Sequence, residues 1–117
     1  MQTQHSSTTS DRSPEQQRAA ERVESLRASI DRIDEMLVSL IGERQRLARA
    51  VGVAKRTANL PPVDQTREHD VIQRIANHAQ DHGVNETEAR LLADQLIRLA
   101  RTTQGLPVVS RREAAAA

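Results

Sequence analysis

The feature that most constrains this chain is one long stretch of helical periodicity in its first half. Ser13-Pro14-Glu15-Gln16 has the form of a capping box, with Ser13 as the N-cap and Pro14 at the first helical position. From there apolar residues recur in alternating steps of three and four: Val23, Leu26, Ile30, Ile33, Leu37 and Leu40, continued by Leu47, Val51 and Ala54. Because the next stop signal is Asn59-Leu60-Pro61-Pro62, the pattern predicts a single helix over about residues 14–58.

Two shorter helices are predicted after this one. The second begins near Asp64 and ends near His82-Gly83, and the third begins at Asn85, where Asn85 and Glu88 have capping-box spacing, and runs towards Gln104-Gly105. No stretch alternates as a strand does. We therefore expect an all-α chain of three helices with a long first helix. Its helical domain covers residues 14–106, between a disordered N-terminal tail, 1–13, and a flexible C-terminal tail, 107–117.

The length of the first helix predicts the quaternary structure. At 1.5 Å per residue it is roughly 65 Å long, whereas a compact chain of this size has a radius of gyration of about 13 Å. Two helices of about 17–20 residues cannot cover such a rod. We therefore expect its apolar stripe to be buried by a second copy in an intertwined homodimer. Gly42 and Gly52 each cost this helix about 1 kcal/mol relative to alanine, which either close backbone approach or simple tolerance explains.

Composition excludes several classes of function. The 117 residues contain no cysteine and no aromatic residue, which removes thiol nucleophiles, thiolate metal sites and base-stacking platforms, and leaves an aliphatic core. A net charge of +1 without a run of like charge is poor support for a nucleic-acid or membrane partner. Residues 1–13 lack the apolar segment of a secretory signal, so we expect a cytoplasmic protein without a membrane span.

Two cations stand out by their positions on the first helix. The apolar pattern that reaches Leu40 predicts an apolar residue at position 44, but this position is occupied by Arg44. Lys55, the only lysine, lies eleven residues further on, about 20° around the helix and roughly 16 Å along it. The two long side chains are therefore able to embrace one small anion. In the alternative, Arg44 pairs with Glu43 or another surface acid and Lys55 fringes the helix end.

Arg27 lies too far from these two cations to share a site with them in one chain. It precedes Arg44 by 17 residues, about 25 Å along the axis and roughly 100° around it. In an antiparallel dimer it would approach Arg44 and Lys55 of the other chain. The alternative is a solvated Arg27 that pairs with Asp31 at i,i+4.

Polar residues also interrupt the apolar faces of the two shorter helices. Glu68, with Arg67 beside it, precedes Val71 and Ile72 on one face, and Gln104 follows Ile97 at helical spacing. The alternative for either Glu68 or Gln104 is a solvated residue at a helix end, which is the usual outcome at such positions. Taken together with the cations, they describe a polar pocket in a helical bundle whose ligand is a small dianion. His78 and His82 have the i,i+4 spacing of a metal pair, but their polar surroundings favour surface histidines, and we expect no metal.

These residues also carry a family resemblance. The run LRASIDRIDEMLVSLIGERQRLARAVGVAK, then PPVDQTRE and later LIRLARTTQ, resembles the all-helical chorismate mutases of the shikimate pathway, over about Glu24–Gln104. The resemblance implies an intertwined homodimer of three-helix chains with two active sites, each completed by an arginine of the partner. It also implies rearrangement of chorismate to prephenate, without cofactor, acid–base chemistry or covalent intermediate.

The resemblance assigns a role to each polar residue of the predicted pocket. Arg27 of one chain and Arg44 of the other would bind the two carboxylates of chorismate, with Arg67 in support. Lys55 and Gln104 match the donors to the ether oxygen whose bond to the ring breaks. Glu68 matches the acceptor for the ring hydroxyl, and Asp64 lies beside it at the start of the second helix.

One position departs from the family pattern. Ala100 stands where such relatives often carry a serine that helps to hold a carboxylate, which leaves that contact and the substrate open. Isochorismate pyruvate lyase and 4-amino-4-deoxychorismate mutase remain alternatives on the same scaffold, although the intact PPVDQTRE segment favours chorismate. A non-catalytic helical dimerisation module is the alternative of another class. Neither a partner enzyme of the pathway nor allosteric control is indicated by the sequence.

Overall fold

The computed structural model describes residues 11–108, and three helices make up most of them. They are α1, Pro14–Thr57, α2, Gln65–Gln80, and α3, Glu86–Thr103, and residues 11–108 contain no strand. The prediction of a three-helix, all-α chain is thereby confirmed. The predicted tails, 1–13 and 107–117, lie largely outside the described residues. No helix within the described range is long and apolar enough to cross a membrane.

Local capping explains where the helices begin. Ser13 and Gln16 form the predicted reciprocal box, since Ser13 Oγ accepts from Gln16 N at 3.1 Å and Gln16 Oε1 accepts from Ser13 N at 2.9 Å. The N-cap of α2 is Asp64, and that of α3 is Asn85, whose side chain accepts from Glu88 N at 3.2 Å. Each cap satisfies a backbone N–H that the first helical turn leaves without a partner.

The described residues fall into two compact units, one that ends at Ile41 and one that begins at Gly42. The first unit consists of the first part of α1, and the apolar stripe along it is about half exposed. The exposed fractions run from 43% at Val23 to 62% at Leu40. In water, so much continuous apolar surface is unfavourable unless something covers it.

The second unit holds the small buried core. α2 and α3 form an antiparallel hairpin through a turn in which Gly83 adopts a left-handed φ of +69°. Their facing sides bury isoleucine and alanine: Ile72, Ala76 and Ala79 from α2, and Ala89, Ala93 and Ile97 from α3. The buried core is therefore aliphatic, as the composition predicts.

The second part of α1, residues 42–57, is joined to α3 by four side-chain hydrogen bonds. Three of them end on a backbone carbonyl: Arg44 to Leu96 O at 3.1 Å, Gln45 to Leu99 O at 3.0 Å, and Gln104 to Ala48 O at 2.8 Å; the fourth runs from Arg49 to Thr103 Oγ1 at 3.1 Å. Gly52 is the buried residue of α1. This α1–α3 contact positions the site described next.

Candidate functional site

A cavity of about 300 Å³ lies within the second unit, between residues 42–57 of α1 and the facing ends of α2 and α3. That volume is at the lower end of the range for small-molecule sites. Its walls combine an apolar floor with converging polar groups. The apolar residues are Leu47, Val51, Val71, Ile97 and Leu106, and the polar ones are Arg44, Lys55, Asp64, Arg67, Glu68, Arg101 and Gln104.

Arg44 and Lys55 line the same cavity, as their shared helix face predicts. Arg44 is partly buried and donates through Nη1 to Leu96 O, so the expectation that it pairs with Glu43 is wrong. Burial, and then repulsion from Arg67, lower the pKa of the Arg44 guanidinium from its ordinary value. An anion in the cavity would compensate for both effects.

Lys55 is held by the loop that follows α1. Its ammonium group donates to Pro62 O, and the side chain is partly buried. An ammonium group has three N–H donors, so two others are left for a ligand. The expectation that Lys55 only fringes the helix end is therefore wrong, because the Asn59–Pro62 stop signal turns the loop back against it.

The start of α2 brings Asp64 and Arg67 to the cavity. Asp64 Oδ1 accepts from Arg67 N at 2.9 Å, which uses this carboxylate as the helix cap. Arg67 Nη1 lies 3.3 Å from Asp70 Oδ2, and both side chains are more than half exposed. Because exposed ion pairs contribute little free energy, Arg67 is free to turn towards an anion.

Glu68 and Arg101 form a bidentate ion pair that joins α2 to α3. Arg101 Nε and Nη2 donate to Glu68 Oε2 and Oε1, both at 2.7 Å, while Nη1 donates to Pro107 O at 3.1 Å. Each of the two side chains is only 19% exposed. Hydrogen bonding to Glu68 raises the pKa of Arg101, opposed in part by burial and aided by the charge of Glu68. The Glu68 carboxylate is thus held in one orientation at the cavity wall.

Gln104 reaches the cavity from the C-cap of α3. Its amide Nε2 donates to Ala48 O at 2.8 Å and keeps a second N–H for a ligand. A Cβ at Gly52 would lie 3.1 Å from Gln104 Cγ, so close approach is the explanation for this glycine. A Cβ at Gly42 would meet nothing within 4 Å, so tolerance explains that one. Ala100 lines the cavity with a methyl group alone.

Arg27 lies in the first unit and is not among the residues that line this cavity. Its guanidinium forms an ion pair with Glu24 at 3.0 Å, with both side chains at least 70% exposed. The alternative in which Arg27 pairs with Asp31 is therefore wrong, although Glu24 and Asp31 both lie on the same helix face as Arg27. An exposed pair of this kind costs little to break.

Arg101 was not among the residues predicted from the sequence, although the periodicity that singled out Arg44 also applies to it. The buried residues Ala93 and Ile97 predict that position 101 faces inward, yet a cation stands there. His78 lies on the exposed side of α2 and His82 in the turn that follows it; both are exposed, with ring centroids 4.5 Å apart. Residues 11–108 contain no group of three side chains able to hold a metal ion.

The charges around the cavity favour a dianion. Four cations line it against two carboxylates, which gives a formal charge of +2, and Asp64 and Glu68 already accept bonds from within the protein. Amide, ammonium and guanidinium donors therefore converge on a partly apolar space. Such an arrangement is chemically suited to bind two anionic groups and to stabilise negative charge that develops on an initially neutral oxygen between them.

Sequence comparisons with known proteins give a family match over this part of the chain, and several relatives. The sequence model of the family described as chorismate mutase type II matches residues 26–105, which include every charged or amide side chain that lines the cavity. A bifunctional chorismate mutase/prephenate dehydratase of Aquifex aeolicus is 42% identical over 55 residues, 47% of this chain and 15% of that protein. The bifunctional chorismate mutase/prephenate dehydratase of Escherichia coli K12 is 32% identical over 77 residues, which are 62% of this chain and 20% of that protein.

A third relative is closer to this chain in length. The chorismate mutase of Methanocaldococcus jannaschii is 35% identical over 66 residues, which are 56% of this chain and 67% of that protein. By contrast, the matched region spans a fifth or less of the bifunctional relatives.

Proposed function

The chain belongs to the chorismate mutase type II family, and from this premise we propose that it converts chorismate to prephenate. The observation that carries the proposal is the convergence of Arg44, Lys55, Glu68 and Gln104 on one cavity of formal charge +2. Chorismate is a dianion of two carboxylates with an ether oxygen between them and a ring hydroxyl. Each of these groups has a chemical complement in the cavity wall.

The reaction is an intramolecular rearrangement in which the ether C–O bond breaks as a C–C bond forms. No proton moves, so the protein needs to hold the reactive conformer and stabilise charge that develops on the ether oxygen. In the proposed complex Lys55 and Gln104 each direct a spare N–H at that oxygen. Arg44 binds one carboxylate, Arg67 supports it, and Glu68 accepts from the ring hydroxyl. Fixed donors of this kind lower the barrier because they need no reorganisation during the reaction.

We further propose a homodimer in which Arg27 of the partner subunit binds the second carboxylate. The half-exposed apolar stripe of the first unit supports it, since a second copy provides an apolar surface of matching pattern. Arg27 is more than two-thirds exposed and held only by a surface ion pair, so it is available to another chain. The cytoplasmic location predicted from the sequence stays a prediction.

Purified protein incubated with chorismate tests the activity. We expect prephenate as the product, and Lys55→Ala to lower turnover by about 10²–10³-fold with a smaller effect on KM. Arg56→Ala is the matched control, because Arg56 is an exposed cation next to Lys55 that does not line the cavity. Pyruvate released from isochorismate, without prephenate from chorismate, would favour the lyase instead. Full turnover in Lys55→Ala would contradict the role of this residue, and no turnover of either compound would favour a non-catalytic dimerisation module.

Mixed subunits test the shared site. Arg27→Ala and Lys55→Ala chains are each expected to be inactive, but a heterodimer of the two rebuilds one site from the intact Arg27 of one chain and the intact Lys55 of the other. With random exchange, half of the dimers are mixed and each has one intact site, so about a quarter of the native activity returns. Exchange verified by mass spectrometry without recovered activity would show that Arg27 does not act across the dimer.

A further inference from the structure

Two carboxylates line the cavity, and Asp64 serves as a helix cap. The other, Glu68, accepts hydrogen bonds from Arg101 through both of its oxygens. The guanidinium fork and the Glu68 carboxylate meet through two 2.7 Å bonds, and the third donor of Arg101 is held by Pro107 O. Each carboxylate oxygen has a second lone pair, so Glu68 is still able to accept a hydrogen bond from a ligand. What the ion pair removes is the net negative charge of that acceptor.

This neutralisation changes which ring substituent the cavity prefers. A carboxylate without a counter-ion attracts an ammonium group far more strongly than it attracts a hydroxyl. When a guanidinium is bound to the same carboxylate, an incoming ammonium meets a neutral pair and is repelled by the nearby cation. A neutral hydroxyl is not repelled, and it is still able to donate to a remaining lone pair.

We propose that Arg101 is a positioning residue that sets substrate specificity: by neutralising and orienting Glu68, it selects a ring hydroxyl over a ring ammonium. The inference rests on the proposed function, since it deepens the description of the same site. It concerns two anions of one shape, chorismate and 4-amino-4-deoxychorismate, which differ at a single ring substituent. Their carboxylates and ether oxygen are identical, so the direct contacts of these groups with the rest of the cavity are the same for both compounds.

The Arg101–Glu68 ion pair is held in a fixed geometry by its surroundings, unlike an ion pair on the protein surface. Both side chains are 19% exposed, and the pair links α2 to α3 across 33 residues of sequence. By comparison, Arg90 on the same helix pairs with Glu86 at 3.0 Å, with side chains 41% and 54% exposed and away from the cavity. Screening by water weakens the Arg90 pair much more than the Arg101 pair.

The test compares three variants on both substrates. Arg101→Gln removes the charge but keeps a donor for Glu68, Arg101→Lys keeps the charge without the fork, and Arg90→Leu is the control. We expect the ratio of kcat/KM for chorismate to that for 4-amino-4-deoxychorismate to fall about tenfold or more in Arg101→Gln. The larger part of that fall should come from KM. In Arg101→Lys the ratio is expected to stay within about threefold of the native value, and in Arg90→Leu to be unchanged.

An equal loss on both substrates in Arg101→Gln, with the ratio unchanged, would overturn the proposal, because it would indicate a purely structural role. So would a ratio in Arg101→Lys that falls as far as in Arg101→Gln. If Arg101→Gln does not fold, Arg101→Met, which also removes the charge, takes its place: a ratio that falls about tenfold supports the proposal, and an unchanged one contradicts it. Should the native protein turn over neither compound, the proposed function fails, and titration calorimetry with the same two compounds measures the same ratio as relative affinity.

Discussion

Replacing Gly52 by alanine separates helix stability from the geometry of the site. In a helix interior, alanine is more favourable than glycine by about 1 kcal/mol. The new Cβ would lie 3.1 Å from Gln104 Cγ, several tenths of an ångström inside the ordinary 3.5–4.0 Å separation of carbon atoms. Overpacking of this kind typically costs about 1–3 kcal/mol. The two contributions oppose each other, so we expect Gly52→Ala to lower the free energy of unfolding by about 0–2 kcal/mol.

The effect on turnover is expected to be larger than the effect on stability. Gln104 has to move away from the methyl group, which strains its hydrogen bond to Ala48 O and shifts the amide that faces the cavity. Since misplacement of a catalytic group by 1 Å can cost about 10²-fold, a shift of a few tenths of an ångström should lower kcat by about tenfold. The helix itself stays intact, because alanine suits it better than glycine does.

Gly42→Ala is the matched control on the same helix. A Cβ at Gly42 meets nothing within 4 Å, so this variant should gain the full contribution of about 1 kcal/mol and keep native turnover. Urea unfolding followed by far-ultraviolet circular dichroism measures both stabilities, at equal protein concentration because the stability of the proposed dimer depends on concentration. The chain contains no tryptophan or tyrosine for fluorescence. If Gly52→Ala is stabilised as much as Gly42→Ala and turns over chorismate at the native rate, the reasoning about close approach to Gln104 is refuted.

Two further substitutions probe the polar wall of the cavity. Arg44→Met removes a charged group that burial disfavours, as its lowered pKa indicates, and puts an apolar side chain in its place. The free energy of unfolding should therefore stay within about 1 kcal/mol of the native value, while turnover falls by at least about 100-fold. Urea unfolding measures the stability, and a loss well above 2 kcal/mol would contradict this prediction. In Gln104→Glu, an ionised carboxylate has no N–H to donate, so turnover should be low at pH 7 and rise as the pH falls towards the ordinary glutamate pKa of about 4.3, where the protonated form donates. A pH–rate profile parallel to that of the native protein would show that donation from position 104 is not required.

Helix ends were predictable from the sequence because the signals are local. Ser13, Asp64 and Asn85 cap their helices within three residues of their own positions, so no knowledge of packing is needed to find them. The second helix was predicted to end near His82-Gly83, but it ends at Gln80, because the turn begins before Gly83, the glycine that completes it. Two of the four cations of the cavity, Arg44 and Lys55, followed from periodicity, because they share a face of one helix.

Contacts between helices were less accessible to sequence reasoning. The ion pair of Glu68 and Arg101 depends on the angle at which α2 and α3 cross, which 33 residues of separation do not reveal. For Arg27, Glu24 at i−3 and Asp31 at i+4 are equally near along a helix, so only the rotamer decides between them. Whether Gly52 reflects close approach or tolerance likewise depends on the distance to Gln104, which belongs to another helix.

The hydrogen bonds between α1 and α3 have a consequence for how this protein tolerates change over generations. Arg44, Gln45 and Gln104 donate to the main-chain oxygens of Leu96, Leu99 and Ala48. A main-chain oxygen is supplied by any amino acid, so mutation of the receiving residue leaves the bond in place. Only the donor residue needs a particular side chain for the bond to form. The residues that accept through their main-chain oxygens are therefore free to change within the limits of packing. Homologues should vary in residue type at these positions and keep the orientation of the donors.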